Sequence, residues 1–201
     1  MVIDKERYIN DLKLKFESYS SISEESWSLI QSIITFQTLE KAETLLRNGQ
    51  IAKNLHFICK GALRAYVTDY DGNIYNKNIF LETDFAGSTV SYLLGIPSNF
   101  TLEAIEYTII ISLNYKKYRQ FIDNNIDLKN FYIGYLERNW VIDKEQREIS
   151  LVMENATERY LKLLSQHPNI DQRIPQLHLA AHLGITPTQL SRIRKDLKKT
   201  S

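Results

Sequence analysis

The stretch Gly184–Lys199 reads GITPTQLSRIRKDLKK. A glycine turn leads into Thr186, a side chain suited to cap a helix. Pro187 follows at the first helical position, where its missing N–H costs nothing. The helix so begun places Leu190, Ile193 and Leu197 on one side, at spacings of three and four. Thr188, Gln189, Ser191, Arg192 and Lys195 face outward near its front. Just upstream, Leu177, Leu179, Ala180 and Leu183 predict a compact helix closed by Gly184, and the small Ala181 permits close approach. QLHLAAHLGITPTQLSRIRK therefore reads as helix, tight turn, helix, with an ordinary helical hairpin as the competing reading. From Gly184 to Ser201 the bases are Arg192, Arg194, Lys195, Lys198 and Lys199, and the one acid is Asp196. Such a local excess, on a basic helix displayed after a turn, suits neutralisation of phosphates and entry into the major groove of duplex DNA.

Outward from this segment, 201 residues with a net charge of +1 suit one large domain or two small ones. No apolar run approaches the roughly 20 residues that span a bilayer. The start, MVIDKERYINDLKLKFE, mixes acids with bases and lacks the apolar core of a secretory signal. The single cysteine, Cys59, has no partner for an internal disulfide and sits in a strand pattern, so a buried, inert thiol is expected. These features predict a cytoplasmic protein with no membrane partner.

The pattern from Asp4 to about Phe36 is helical. Tyr8, Leu12 and Phe16 recur four apart, and Ser21 or Ser23 caps a second helix that carries Glu24, Glu25, Trp27, Leu29 and Ile30. From about Glu40 the period becomes two, through LHFICKG, ALRAYVTD and IYNKNIF, with Tyr70-Asp71-Gly72-Asn73 as a hairpin turn. FTLEAIE and TIIISLN read as a further strand pair. Many short strands with regular turn residues predict a small antiparallel roll or barrel. Asn114 caps a helix beginning YKKYRQFI. A long helical pattern runs from Asp127 to roughly Met153, with Phe131, Tyr135, Ile142, Ile149 and Val152 in its stripe, Leu136 and Trp140 beside them, and Asn139 interrupting. That seam either pairs with its copy, with the polar residue setting register, or packs on the roll. Ala156–Gln166 is another helix, ended by His167-Pro168-Asn169.

Roll, long helix and terminal helix–turn–helix, in that order, resemble the Crp/Fnr family of bacterial transcription regulators, in the branch common in Bacteroidetes. The resemblance covers nearly the whole chain. It is carried by Asn54–Gly61, Asp71-Gly72, Asp84-Phe85-Ala86-Gly87, Tyr115–Gln120 and GITPTQLSRIRK. It implies an α+β fold: an antiparallel β jelly roll of the cyclic-nucleotide-binding type with flanking helices over residues 1–125, a dimerisation helix over 126–153, and a helix–turn–helix over 154–201. The wing that follows the recognition helix in much of the family is missing here. The implied partners are double-stranded DNA, a second copy through the helix 127–153, and RNA polymerase. In family members that bind cyclic AMP, a Gly-Glu pair takes the ribose and an Arg-Ser pair takes the phosphate. Here those positions align with Gly87-Ser88 and Phe100-Thr101, so the glutamate and the arginine are both absent. Burying a cyclic phosphate without a cation is costly, so no cyclic AMP and no other cofactor is expected, although Arg64 or Lys77 could reach in from another strand. Phe85, Gly87, Ser88, Phe100 and Thr101 remain candidate ligand residues. The corresponding pocket, between Phe85–Tyr92, Phe100–Ala104 and the start of the long helix, would be lined by Phe85, Val90, Tyr92, Leu93 and Phe100. Such an apolar, neutral lining suits an uncharged or lipophilic ligand, unless these aromatics are simply core.

Other chemistries lack their residues. One cysteine cannot hold an iron–sulfur cluster. His56 has no pattern of a haem ligand and reads as structural. His178 and His182 are four apart, a metal-pair spacing, but no third ligand is visible nearby. A cupin-type enzyme needs several histidines around a metal, and the roll offers His56 alone. Glu82, Asp84, Glu103 and Glu106 read as acids on solvated faces. The chain is thus expected to be a regulator rather than an enzyme. Within the reading helix, Thr186 is the cap, Gln189 suits adenine, Arg192 suits guanine and Thr188 suits a thymine methyl. Ser191 and Lys195 suit phosphates, and Arg194 faces either phosphate or the neighbouring helix. The alternative is a protein-interaction or ligand-binding module, which would show no salt-dependent binding to duplex DNA.

Overall fold

The computed structural model describes residues 3–200. Helices α1 (Lys5–Glu17) and α2 (Glu24–Gln31) come first. Asp4 caps α1 by accepting from the Arg7 N–H at 3.2 Å, and Ser23 caps α2 by accepting from the Ser26 N–H at 3.2 Å. The helical pattern expected as far as Phe36 stops earlier. Ser32 ends the second helix, and Phe36 lies in a strand whose backbone is drawn into a sheet.

The strands are β1 (Ile34–Leu39), β2 (Thr44–Leu46), β3 (Asn54–Lys60), β4 (Leu63–Thr68), β5 (Ile74–Phe80), β6 (Phe85–Ala86), β7 (Thr101–Ala104) and β8 (Thr108–Asn114), with the short helix α3 (Thr89–Leu94) before β7. They form two antiparallel sheets of four strands, ordered β1-β8-β3-β6 and β2-β7-β4-β5, which face each other as a jelly roll. The expected pairing of FTLEAIE with TIIISLN does not occur. Strand β7 pairs with β2 and β4, whereas β8 pairs with β1 and β3. The chain crosses from one sheet to the other between Ala104 and Thr108, as strand succession in a roll requires.

Strand β8 explains its own unbroken apolar run. Ile110 points into the roll with Ile58, Leu63 and Ala104, and Ile109, Ile111 and Leu113 point the other way, toward the N-terminal helices. Between β4 and β5, the Asp69 carboxylate accepts from the N–H groups of Asp71 and Asn73 at 3.0 and 2.8 Å, and Gly72 takes φ 84°. Gly61, between β3 and β4, has φ 98°, and a Cβ there would lie 2.5 Å from Thr108 Oγ1.

Helix α4 (Tyr115–Asn124), capped by Asn114, leads to α5 (Ile126–Leu136), a π-helical turn at Glu137–Ile142, and α6 (Asp143–Met153). The two halves of this long element have different surroundings. Leu128 and Phe131 of α5 are buried, and Phe131 stacks on Phe16 at a centroid distance of 4.0 Å inside an aromatic cluster with Trp27, Phe85 and Tyr118. Each such buried ring stabilises by about 1.5–3 kcal/mol. Beyond the π turn, Ile142, Ile149 and Val152 are 51%, 56% and 83% exposed. Asn139 donates to Tyr19 Oη at 3.0 Å and to the Tyr135 carbonyl at 2.8 Å, both within its own chain.

The C-terminal part comprises α7 (Ala156–Gln166), opened by a capping box of Asn155 and Glu158, the single turn α8 (Ile170–Arg173), α9 (Gln176–Leu183) and α10 (Pro187–Thr200). The expected limits at Met1, Val2 and Ser201 lie outside the described residues. Among the described residues no helix is long and apolar enough to cross a membrane. Cys59 is buried, and desolvation pushes its thiol up to about 12.

Candidate nucleic-acid interface and interdomain cleft

Gly184 closes α9 in the left-handed conformation, φ 69°, and turns the chain into α10. Thr186 and Gln189 form a reciprocal cap. The Gln189 N–H donates to Thr186 Oγ1 at 3.2 Å, and the Gln189 side-chain oxygen accepts from the Thr186 N–H at 2.8 Å. Leu190 is fully buried against Leu179, Ala180, Leu183, Ile174 and Tyr160, with Ile193 and Leu197 packed at the margin. Of the four residues that predict α9, Leu179, Ala180 and Leu183 form its buried face, and Leu177 is 61% exposed.

Thr186, Thr188, Gln189, Ser191, Arg192 and Lys195 are all exposed, and they share the surface presented by α10. Gln189 begins with its carbonyl engaged in the cap, so bidentate reading of a base by this side chain requires it to leave Thr186. Arg194 turns the other way. Its Nε donates to Tyr160 Oη at 2.9 Å, its guanidinium lies 3.4 Å from Asp171, and Tyr160 in turn donates to Asp171 at 2.5 Å. Of its two expected roles it takes the one toward neighbouring helices, fixing α10 from behind.

The helical part is clamped to the roll. Arg173 donates to Glu82 at 2.6 and 2.8 Å and to Glu106 at 2.7 Å, while Glu82 also accepts from the Gly61 N–H at 2.9 Å. Desolvation pushes the Glu82 carboxyl up, but the Arg173 guanidinium and the Gly61 N–H outweigh it and hold the net value below the usual range. Arg64 donates to Glu103 at 2.8 and 3.0 Å and lies 3.2 Å from His178 Nδ1. Asn76 donates to the His178 carbonyl at 2.9 Å. The expectation of solvated faces for Glu82, Glu103 and Glu106 is thus wrong. Their partners stand far off in sequence, and no local pattern announces them. Asp84 also departs from it, being half-buried and accepting from the Leu81 N–H at 2.8 Å.

The histidines have structural surroundings. His56 Nδ1 lies 2.8 Å from Ser112 Oγ, and burial brings this imidazole down to about 4. His178 is held below its ordinary value by burial and by Arg64. Among the described residues no group of three His, Cys, Asp or Glu side chains is placed to hold a metal.

Roll, long helix and α9 enclose a cleft of about 610 Å³. Phe85, Gly87, Tyr92 and Phe100 line it as expected, and a Cβ on Gly87 would meet the Tyr92 ring at 3.1 Å. Ser88 and Thr101 do not line it. Ser88 is buried before α3, and the Thr101 hydroxyl accepts from the Asn48 N–H at 3.1 Å. Val90 and Leu93 are 57% and 51% exposed, outside the lining, because α3 turns that face to solvent. The expected neutral lining is also wrong. Lys77 of β5 and Lys144 and Arg147 of α6 line it beside the aromatics, as do the acids Asp84, Asp143 and Glu148. Lys77 does reach the cleft, over the Phe100 ring at 5.3 Å, whereas Arg64 is held by Glu103 on the other side of the sheet.

The jelly roll defines the class. Residues 36–125 match the family model described as the cyclic nucleotide-binding domain, and this part of the chain is such a domain. The chain resembles Crp/Fnr-type regulators in sequence and in fold. It is 27% identical over 107 residues to the cAMP-activated global transcriptional regulator CRP of Pasteurella multocida (strain Pm70), a match covering 53% of this chain and 50% of that protein. The match thus spans about half the length of the curated relative. Among solved structures, FixK2 from Bradyrhizobium japonicum superposes with a TM-score of 0.70 at 18% identity, covering 84% of this chain and 86% of that one. CLP, the c-di-GMP responsive global regulator of Xanthomonas campestris, gives 0.67 at 14% identity over 89% and 93%. The Thermus thermophilus catabolite activator protein gives 0.53 at 21% identity over 90% and 85%. At these identities the superpositions establish a shared fold.

Proposed function

We propose that this chain is a DNA-binding transcriptional regulator of the Crp/Fnr type, acting as a homodimer on a palindromic site in the bacterial cytoplasm. Residues 1–125 serve as the sensor, 126–153 as the dimerisation helix and 154–201 as the DNA reader. The observation that carries this reading is the surface of α10. Thr188, Ser191, Arg192 and Lys195 are exposed there, while Leu190 and Arg194 fix the helix from behind. Arg192 reads guanine, Thr188 a thymine methyl, and Ser191, Lys195 and the N-terminal turn hold phosphates. Gln189 reads adenine once released from its cap. The exposed Ile142, Ile149 and Val152 of the long helix supply the seam for a second copy, with half-sites roughly 34–36 Å apart. RNA polymerase is the further partner at a promoter. The roll modulates this act and performs no catalysis.

Selection of bound duplexes from a random pool tests the reading. The expected product is a palindrome whose binding weakens steeply with salt. Arg192→Ala should cost about 1–3 kcal/mol on the selected site and relax its sequence preference. Absence of binding to any duplex at low salt would leave the alternative, an interaction or ligand-binding module without DNA.

A further inference from the structure

Helix α9 rests on the roll at β5, and His178 and His182, four residues apart, lie on the side that meets it. His178 is tied to the roll twice. Its carbonyl accepts from the Asn76 side chain at 2.9 Å, and its Nδ1 lies 3.2 Å from Arg64 Nη1. Arg64 is 8% exposed and already engaged, with Nε and Nη2 on Glu103 at 3.0 and 2.8 Å and Nη1 also 3.4 Å from Asn76 Oδ1. A guanidinium can only donate, so Nδ1 of His178 is the acceptor and its ring is neutral, with the proton on Nε2. Protonation would set one N–H against another, between two cations, across that 3.2 Å.

His182 meets the same limit by another route. The residue is half-buried, but its Nδ1 is sealed from solvent and has no hydrogen-bond partner. A proton placed there would become a charged N–H that neither protein nor water serves, which is costly. Around this ring Arg147 and His167 oppose a positive charge, a hydrogen bond at the Asn76 backbone favours it, and Lys77, Asp84, Asp143 and Glu148 line the same cleft. Around His178, Arg64 and Lys41 oppose the charge and Glu103 favours it, but Glu103 is held by Arg64 and Tyr66. Burial is the largest cause at both rings and lowers both from the ordinary 6.5, His182 to about 4. The undocked form therefore binds more protons below pH 6.5, and docking is lost as pH falls from there through the lowered values. Glu82 of the neighbouring clamp stays ionised through that range, its carboxyl being held below the usual one.

From this geometry we propose that His178 and His182 form a proton-operated catch between the roll and the helix–turn–helix. With both rings neutral α9 stays docked on the roll, and protonation of either loosens it. The effector is the proton itself, and the device uses neither Gly87-Ser88 nor Phe100-Thr101. Because α9 runs through Gly184 into α10, release of the catch also frees α10 from a fixed position on the roll. Any effect on a duplex rests on the DNA-reading function proposed above, whereas the release itself does not.

Energy transfer between labels on Asp71→Cys and Lys198→Cys tests the catch in the full chain at constant ionic strength, while tryptophan fluorescence reports whether the roll stays folded. Between pH 7 and 5 the ratio of undocked to docked chains should rise about tenfold for each histidine, as loss of one charge-assisted contact implies, and should reverse on return to pH 7. His178→Gln keeps an oxygen able to accept from Arg64 but does not titrate. It and His182→Gln should each remove about tenfold of the response, and the double variant should be flat across the window. In ¹⁵N-histidine spectra at pH 7, His178 should carry its proton on Nε2, a reading that needs no variant to fold. An undiminished response in the single and double variants would overturn the proposal. So would a wild-type distance distribution unchanged between pH 7 and 5, or a His178 protonated on Nδ1 at pH 7. If the distance responds as described while no duplex is bound at either pH, the catch stands and the regulator reading fails.

Discussion

Replacing Arg173 by alanine should release the helical C-terminal part from the roll. One guanidinium makes three charge-assisted bonds, at 2.6, 2.7 and 2.8 Å, to Glu82 and Glu106. In a fully buried site each would contribute about 1.5–3 kcal/mol. Here the arginine and both glutamates are about a third exposed (32%, 36% and 31%), so water screens the interaction and competes for every partner. A total of about 2 kcal/mol is a reasonable figure for such a bidentate, half-open cluster, between isolated surface pairs and buried ones. That corresponds to roughly thirtyfold in the equilibrium between docked and undocked arrangements. Energy transfer between labels on Asp71→Cys, in the β4–β5 turn, and Lys198→Cys, on α10, would read the docking directly. The expected result for Arg173→Ala is a broadened distance distribution. An unchanged distribution, with only the roll's own unfolding affected, would refute the clamp and leave Arg173 a local surface contact.

The other expectations are narrower. Gly61→Ala should destabilise by about 3 kcal/mol in denaturant titration, since its φ of 98° disfavours any side chain and the new Cβ would press on Thr108 and the Tyr107 carbonyl. Thr186→Ala should cost about 1 kcal/mol through loss of the reciprocal cap, visible as faster amide exchange in the first turn of α10. Val152→Glu should shift sedimentation toward the monomer without lowering the melting temperature, because this side chain is 83% exposed in the single chain. His56 and His182 each bind a proton at about 4 when folded, against an ordinary value of 6.5. The unfolded chain therefore binds more protons between those values, and stability should rise with pH across this window. Acidification from pH 7 to 5 should remove about 1–2 kcal/mol per histidine, and a flat stability profile there would contradict the burial of both rings.

Local signals were legible wherever a residue's role is decided by near neighbours. Pro187, Thr186 and the Leu190–Ile193–Leu197 spacing locate α10, and Asp71-Gly72 locates its turn. The outward set Thr188, Ser191, Arg192 and Lys195 follows from the same period. Roles decided at long range were not legible. Glu82 and Glu106 look like solvated acids until Arg173, 91 and 67 residues away, is brought onto them. TIIISLN looks like a partner for FTLEAIE because adjacency in sequence is the only local cue, and a jelly roll sends successive strands to different sheets. Of the cleft's cations, Lys77 is foreseen as one that could reach in from its strand, whereas Lys144 and Arg147 lie on a helix read only for its apolar seam.

The π-helical turn at Glu137–Ile142 has a consequence for how two jobs share one helix. Each residue of a regular α-helix advances the azimuth by about 100°, so a widened turn rephases everything downstream. Before it, Phe131 is sealed against the aromatic cluster, and after it, Ile149 and Val152 look away. Excising one residue within Glu137–Ile142 would swing that outer stripe around the axis, out of line with any partner it serves, while leaving every upstream contact in place. Packing on the roll and the facing of the outer stripe are thereby set by a single angular offset, which insertion or deletion could reset in one step.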